Sequence, residues 1–133
     1  MILFTKPQLA KLLANGTATA AALAAGREPP DHKPVVKLFT PDAAASWLLT
    51  EIDPEEPNIA FGLCDLGMQC AEIGSVSLAK LRALRGRLRL PVERDRHFEA
   101  THPLSVYARA SMVHDCIVTD PARLDRAAAE PVN

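Results

Sequence analysis

The chain has 133 residues, of which 48% are hydrophobic and 23% are charged, and its formal net charge is −1. This composition is typical of one soluble globular domain and excludes a wholly disordered chain. No apolar run reaches the roughly 20 residues that span a bilayer, and the N-terminus lacks a secretion signal, so we expect no membrane contact. The three cysteines, an odd number, fit a reducing compartment, and we expect a cytoplasmic protein.

Two helices are predicted at the N-terminus. Thr5 and Pro7 are a typical helix start, because a hydroxyl caps the first turn and a proline fits within it. Asn15 and Gly16 are a typical helix stop. A second, alanine-rich helix is predicted for residues 17–25, and the prolines that follow it predict an extended linker.

The middle of the chain predicts an antiparallel β-meander. Its β-rich runs are separated by turn residues at intervals of about 8–12 residues, which argues against parallel βαβ units. The four predicted strands cover residues 35–40, 45–52, 58–66 and 70–76. They are followed by a predicted helix at 77–85, a short edge strand at 88–92 and a last helix at 103–112.

Together these elements predict an α+β fold. We expect a single domain over residues 1–120, with an antiparallel β-meander of about four to five strands and helices packed on one face, and a flexible C-terminal tail over residues 121–133. One hydrophobic cluster should join the helices to the sheet, because apolar residues recur on one side of each element. The predicted members of this cluster are Leu9, Leu12, Val36, Leu38, Trp47, Leu49, Phe61, Leu63, Leu81 and Leu84.

Charge is sorted along the chain. All charged residues between positions 42 and 72 are acidic, and most of those between positions 80 and 96 are basic. A surface of one sign attracts partners of the opposite sign, so either the two segments meet in the fold or one of them contacts another molecule. The acidic segment contains Asp42, Glu51, Asp53, Glu55, Glu56, Asp65 and Glu72, and the basic segment contains Lys80, Arg82, Arg85, Arg87, Arg89, Arg94 and Arg96.

The acidic segment supplies one candidate binding surface. Carboxylates on a surface imitate phosphates and suit the basic nucleic-acid channel of a nuclease. The alternative interpretation is a set of solvated strand faces and an ordinary charged turn. The candidate residues are Glu51, Asp53, Glu55, Glu56 and Asp65.

The basic strip supplies a second candidate surface, formed by Arg82, Arg85, Arg87 and Arg89. It resembles a surface that contacts phosphates more than one that reads bases, because only Phe98 lies close enough in the sequence to stack on a base. The alternative interpretation is a solvated helix face whose arginines pair with the acidic edge of the sheet.

Metal and thiol chemistry have weak support in the sequence. Cys64 and Cys70 are separated by five residues and Cys116 is distant, which is not a zinc-ligand spacing, so we expect reduced thiols without metal and no cofactor.

Carboxylate chemistry is the remaining alternative. Glu51 and Asp53 fall on one face of a predicted strand, and Asp65 could lie across from them, which would form a carboxylate site. We favour an exposed acidic ladder without activity and expect no catalytic residues.

Four segments carry a family resemblance. They read DHKPVVKLFTP at 31–41, WLLTEIDP at 47–54, IAFGLCDLG at 59–67, and LPVERD at 90–95 followed by Phe98. Over roughly residues 1–108 the chain resembles a family of small bacterial proteins known only as a domain of unknown function. The resemblance implies cargo of plasmids, phages and integrative elements, and some relatives are assigned as anti-CRISPR proteins that inhibit Cas nucleases.

Charge and resemblance together lead us to expect a non-enzymatic binding protein of a mobile genetic element. The expected activity is that of an anti-CRISPR inhibitor acting on a Cas nuclease or surveillance complex through a charged surface. The alternative is a nucleic-acid-associated plasmid accessory protein that uses the basic strip in transfer or maintenance. A third interpretation is a small hydrolase or metalloenzyme using Glu51, Asp53 and Asp65.

Overall fold

A computed structural model describes residues 3–68 and 70–129 of the protein. Its helices are α1 (Lys6–Ala24), α2 (Leu78–Ala83), α3 (Leu104–His114) and α4 (Pro121–Ala129). Its strands are β1 (Val36–Phe39), β2 (Ser46–Ile52), β3 (Ile59–Asp65), β4 (Ala71–Ser77) and β5 (Glu93–Arg94). Within these residues, no helix combines the length and apolarity needed to cross a membrane.

The five strands form one antiparallel sheet in the order β4-β3-β2-β1-β5. The first four strands are a meander, as predicted, and the α+β class is confirmed. The predicted edge strand at 88–92 is wrong in position. The edge strand is β5, which pairs Glu93 with Phe39, while Val92 is buried in the core and Pro91 makes only an isolated bridge to Arg85.

Helices cover both faces of the sheet, which corrects the prediction of helices on one face. Adjacent residues of β2 are buried on opposite sides: Trp47 and Leu49 pack with α1 and α2, whereas Leu48 packs with α3 and α4. A strand buried on both faces reads as a continuous apolar run, and the residues Trp47, Leu48 and Leu49 are such a run.

The core is therefore two clusters, and the predicted single cluster is wrong. Phe61 and Leu63 belong to the α3–α4 side, while Leu9 and Leu84 are 42% and 39% exposed. The other six predicted members lie together on the α1–α2 side: Leu12, Val36, Leu38, Trp47, Leu49 and Leu81.

The N-terminus forms one long helix instead of the two that were predicted. The predicted start is confirmed, because the Thr5 hydroxyl accepts from the Gln8 backbone N–H and the Gln8 side chain accepts from the Thr5 N–H. The predicted stop is wrong, because Asn15 and Gly16 are buried inside α1, where they face β2. The Asn15 amide donates to the Thr50 carbonyl oxygen at 2.9 Å.

The C-terminal segment is helical over residues 121–129, which corrects the prediction of a flexible tail there. Asp120 accepts from the Arg123 backbone N–H and Pro121 occupies the first turn, so a helix-start pattern was present in the sequence. Leu124 is completely buried and Ala127 nearly so, and both pack with α3. The rest of the predicted tail, residues 130–133, lies outside the described residues.

Gly16 provides a test of how α1 contacts β2. A Cβ at this position would overlap the Ile52 carbonyl oxygen, whereas a Cβ at Gly74 meets nothing within 4 Å. We expect Gly16→Ala to lower the free energy of unfolding by about 1–3 kcal/mol. At an unobstructed helical position the same substitution would raise the free energy of unfolding, because alanine has a higher helix propensity than glycine. Chemical denaturation measures this. Gly74→Ala is the matched control and should change stability by less than about 0.5 kcal/mol. A Gly16→Ala variant as stable as the parent would contradict the close contact.

Leu124 provides a test of whether α4 is part of the folded domain. Because its side chain is completely buried, Leu124→Ala should lower the free energy of unfolding by about 2–5 kcal/mol. Thermal and urea unfolding measure the loss. Leu88→Ala, at a leucine that is 74% exposed, is the control and should melt like the parent. Equal melting of the two variants would mean that α4 does not dock.

Candidate functional site

The basic strip begins on α2 and continues through the loop that follows it. Ser77 caps α2 by accepting from the Lys80 backbone N–H, and α2 ends at Ala83. The side chains of Arg82, Arg85, Arg87 and Arg89 are all exposed. These four arginines are therefore presented on one short helix and one loop, close together in the sequence.

A single carboxylate fixes the loop that carries these arginines. Asp42, in the turn between β1 and β2, accepts from the backbone N–H groups of Leu88 at 2.6 Å and Leu90 at 3.4 Å. A Cβ at Gly86 would overlap the same carboxylate, so the loop approaches it as closely as a glycine allows. Arg89 adopts a left-handed conformation, with φ of 63°. One member of the acidic segment thus holds the basic strip in shape.

The guanidinium groups of the strip are not neutralised by the described part of the chain. The ion pairs found there are Lys37 with Asp95 and His102 with Asp125. Arg85 donates instead to the backbone carbonyls of Arg82 and Leu84, each at 2.8 Å. The alternative interpretation, in which the arginines pair with the acidic edge of the sheet, is therefore wrong for these residues.

The acidic segment does not form a single surface. Asp53, Glu55 and Glu56 are exposed in the β2–β3 turn, which Asp53 closes by accepting from the Glu55 backbone N–H at 2.9 Å. We call these three residues the acidic turn. Asp65 and Glu51, the other two candidates, lie elsewhere and have other contacts.

Asp65 is a buried structural residue, with 6% of its surface exposed. Its carboxylate accepts from the backbone N–H groups of Gly67 at 2.9 Å and Ile117 at 3.2 Å. In the strand register Asp65 lies opposite Ser46, whereas Glu51 lies opposite Phe61. The two carboxylates are thus separated by roughly 16 Å along β2, at about 3.3 Å per residue. The predicted placement of Asp65 across from Glu51 and Asp53 is wrong.

Glu51 lies in a cleft between α1 and the ends of β2 and β3. Its carboxylate accepts from the Thr19 hydroxyl at 3.2 Å, and the same hydroxyl lies 3.1 Å from His32 Nε2. Because a hydroxyl has one hydrogen and a carboxylate only accepts, His32 Nε2 donates to Thr19. The cleft has a volume of about 430 Å³, and Leu23 and Pro30 contribute to its apolar wall. Glu51 is therefore held by a hydrogen-bond chain and does not belong to the acidic turn.

The cysteines are free thiols, and two of them are kept protonated by their surroundings. Burial, with a smaller effect of the Glu72 charge, raises the pKa of the half-buried Cys64 thiol to about 11. A hydrogen bond from Cys70 Sγ to the Glu72 carboxylate, at 3.2 Å, raises the pKa of the exposed Cys70 thiol. A protonated thiol is a poor nucleophile, so neither residue is armed for covalent catalysis.

Residues 3–68 and 70–129 contain no group of three or more His, Cys, Asp or Glu side chains placed to hold a metal ion.

A second basic group, on α3 and α4, was missed in the sequence. Arg109, His114, Arg123 and Arg126 line one cavity of about 250 Å³ between the two helices. The spacing of Arg123 and Arg126, three residues apart, was the available signal, since such residues share a side of a helix. It was overlooked because this segment was interpreted as a tail.

The fold and these surfaces define the class of the protein: a small single-domain α+β protein with an exposed basic strip. A family model described as a protein of unknown function (DUF2958) matches residues 3–118, and the chain belongs to this family. The family resemblance seen in the sequence is thereby confirmed. Helix α4 lies beyond the matched residues. Comparisons with curated proteins and with solved structures give no match.

Glu72 provides a test of the thiol chemistry. Glu72→Gln removes the carboxylate whose hydrogen bond, and to a smaller extent whose charge, raises the pKa of Cys70, so more thiolate forms at a given pH. We expect iodoacetamide to alkylate Cys70 several-fold faster in this variant, with Cys116 as the internal control. Mass spectrometry of the cysteine peptides over time measures both rates. An unchanged Cys70 rate, with Cys116 also unchanged, would contradict the role given to Glu72.

Proposed function

We propose that this protein is a non-enzymatic binding protein that contacts the phosphate backbone of RNA or DNA through its basic strip. The observation that supports the proposal is the set of four exposed arginines that no acidic side chain neutralises within residues 3–68 and 70–129. Arginine is suited to this task because its planar fork donates two parallel hydrogen bonds to phosphate oxygens.

The loop that carries Arg87 and Arg89 already has a fixed conformation, so it needs little further ordering when it binds nucleic acid. Arg87 and Arg89 flank Leu88, whose backbone N–H donates to Asp42 at 2.6 Å. A loop that is already held in one conformation loses less entropy when it meets its target. The arginines are thus presented on a prepared surface.

The surroundings of the strip favour phosphates over bases. Phe98 was the one aromatic residue close enough in the sequence to stack on a base. Its ring is half-buried and lies against Tyr107, with the ring centroids 6.3 Å apart. Because none of the described residues is an exposed aromatic, recognition rests on the phosphate backbone and is independent of base sequence. This matches an accessory role on nucleic acid better than recognition of a specific site.

The biological setting that we infer is that of a nucleic-acid-associated accessory protein of a plasmid, and the support for the plasmid setting is the family resemblance of the sequence. Inhibition of a Cas nuclease complex is compatible with the same surface, because such a complex exposes guide RNA or target DNA. In both settings the partner offers phosphates to the basic strip.

A second candidate function uses the acidic turn. Asp53, Glu55 and Glu56 are exposed, and within the described ranges none of them takes part in an ion pair. A carboxylate surface of this kind fits a basic protein channel, as expected of an anti-CRISPR inhibitor that blocks a Cas nuclease directly.

Charge reversal tests the proposal. Changing Arg82, Arg85, Arg87 and Arg89 to Glu should abolish binding to a labelled RNA or DNA oligonucleotide in fluorescence anisotropy. If the parent neutralises four phosphates, its log K should fall by about 2.8–3.6 for each decade of salt, since each contact contributes roughly 0.7–0.9.

The matched control reverses four exposed basic residues outside the strip: Lys6, Lys11, Arg27 and Lys33. This control changes net charge equally and should keep most of the affinity and the salt slope. If both variants lost the same amount of affinity for the oligonucleotide, binding would not be confined to the basic strip and the proposal would be contradicted.

Reversing Asp53, Glu55 and Glu56 to Lys should leave nucleic-acid binding intact. If that change alone abolished inhibition of a Cas nuclease, the second candidate would replace the first.

A further inference from the structure

Arginine and histidine are the polar side chains that line the cavity between α3 and α4. Arg109 and His114 come from α3, and Arg123 and Arg126 come from α4. The remaining lining residues are Ala110, Val113 and Ala127, so no acidic side chain contributes to the wall that the structure describes. We call this cavity the arginine cleft. Its volume of about 250 Å³ is small, which suits one compact charged group.

Arg109 supplies the observation that points to a ligand. Its Nε atom is buried and has no hydrogen-bond partner among residues 3–68 and 70–129. A buried donor on a charged group that lacks an acceptor destabilises the folded protein. Folded proteins rarely keep such a group without a compensating role. A rotation of the Arg109 side chain toward the cleft would bring this donor to an acceptor on a ligand bound there.

The acidic residues of α4 and its cap are occupied elsewhere. Asp125 pairs with His102 at 2.9 Å, and Asp120 accepts from the backbone N–H of Arg123 at 3.2 Å. Arg109, Arg123 and Arg126 form no ion pair within the described ranges. Three guanidinium groups facing one small space repel one another, and an anion with two negative charges relieves this repulsion.

The position of α4 is fixed by its buried face and not by the arginines. Leu124 and Ala127 pack into the core, and Arg123 and Arg126 each precede one of them by a single residue. Because Arg123 and Arg126 are three residues apart, they lie on the same side of α4, and both line the cavity that α4 forms with α3. The joining loop is held as well, because the Val118 N–H donates to the buried Ser111 hydroxyl at 3.0 Å. The cleft is therefore formed before any ligand arrives.

We propose that the arginine cleft binds a phosphoryl group, with a terminal phosphate monoester as the preferred form. Guanidinium forks match phosphate oxygens in pairs, and a monoester dianion carries more charge than a carboxylate or a backbone diester. The site is separate from the basic strip, because α2 packs on one face of the sheet and α3 and α4 pack on the other. The same chemistry is offered by a free nucleotide and by the 5′ end of a nucleic acid.

Calorimetric titration of the full chain at low ionic strength tests the proposal, with inorganic phosphate and 5′-AMP as probes and adenosine as the uncharged control. We expect phosphate and 5′-AMP to bind and adenosine not to bind. Arg109→Lys keeps the charge but loses the fork, and it should weaken 5′-AMP binding about tenfold. Arg123→Gln, at an exposed position, should weaken it similarly while melting like the parent. Arg85→Gln, in the basic strip, should leave it unchanged.

Two oligonucleotides that differ only in a 5′ phosphate distinguish the sources. A preference for the phosphorylated oligonucleotide that is lost in Arg123→Gln identifies a nucleic-acid end as the ligand. Binding of 5′-AMP without such a preference identifies a free phosphorylated small molecule. Failure of both phosphate and 5′-AMP to bind overturns the proposal, as does equal 5′-AMP affinity in the parent and in Arg123→Gln. Neither result bears on the basic strip, which the reversal of Arg82, Arg85, Arg87 and Arg89 to Glu tests separately.

Discussion

A buried bulge in β2 is the constraint on which the rest of the fold depends. Leu49 pairs with Gly62 and Glu51 pairs with Phe61, so Thr50 has no partner in the register. The Thr50 carbonyl therefore needs a donor from outside the sheet, and the Asn15 amide of α1 supplies it. Gly16 allows the close approach that this bond requires. The bulge also shifts the alternation by one residue, so that Ile52 joins Leu49 on the α1 side.

The sequence predicted the parts of the fold that depend on local patterns. The order of the four meander strands and the start of α1 follow from turn residues and a capping hydroxyl, and the helix α2 was also predicted from the sequence. Asn15 and Gly16 were misinterpreted because a helix stop and a long-range contact with a strand use the same two residue types. The second covered face of the sheet was missed for a similar reason. Its apolar residues are spread over β2, β3, α3 and α4, and only the folded chain brings them together.

Charge sorting predicted a segregated surface, and the two halves behave differently in the fold. Short acidic side chains near strand ends accept hydrogen bonds from nearby backbone, as Asp42 and Asp65 do, so the acidic segment is divided among several roles. Long arginine side chains on a short helix and a loop remain in solvent, so the basic strip stays together. The arginine cleft could not be predicted in the same way. It exists only because Leu124 docks α4 against α3, far in sequence from Arg109.

Mapping of backbone amide shifts by NMR, as a short RNA or DNA oligonucleotide is added, tests most directly whether the basic strip is the contact surface. We expect the largest changes in α2 and in the loop of residues 84–91, with little change in the β2–β3 turn. The changes should diminish as salt is raised, because phosphate contacts release counterions. Changes confined to the acidic turn, or no change in the strip at low salt, would contradict a phosphate-binding role for this surface.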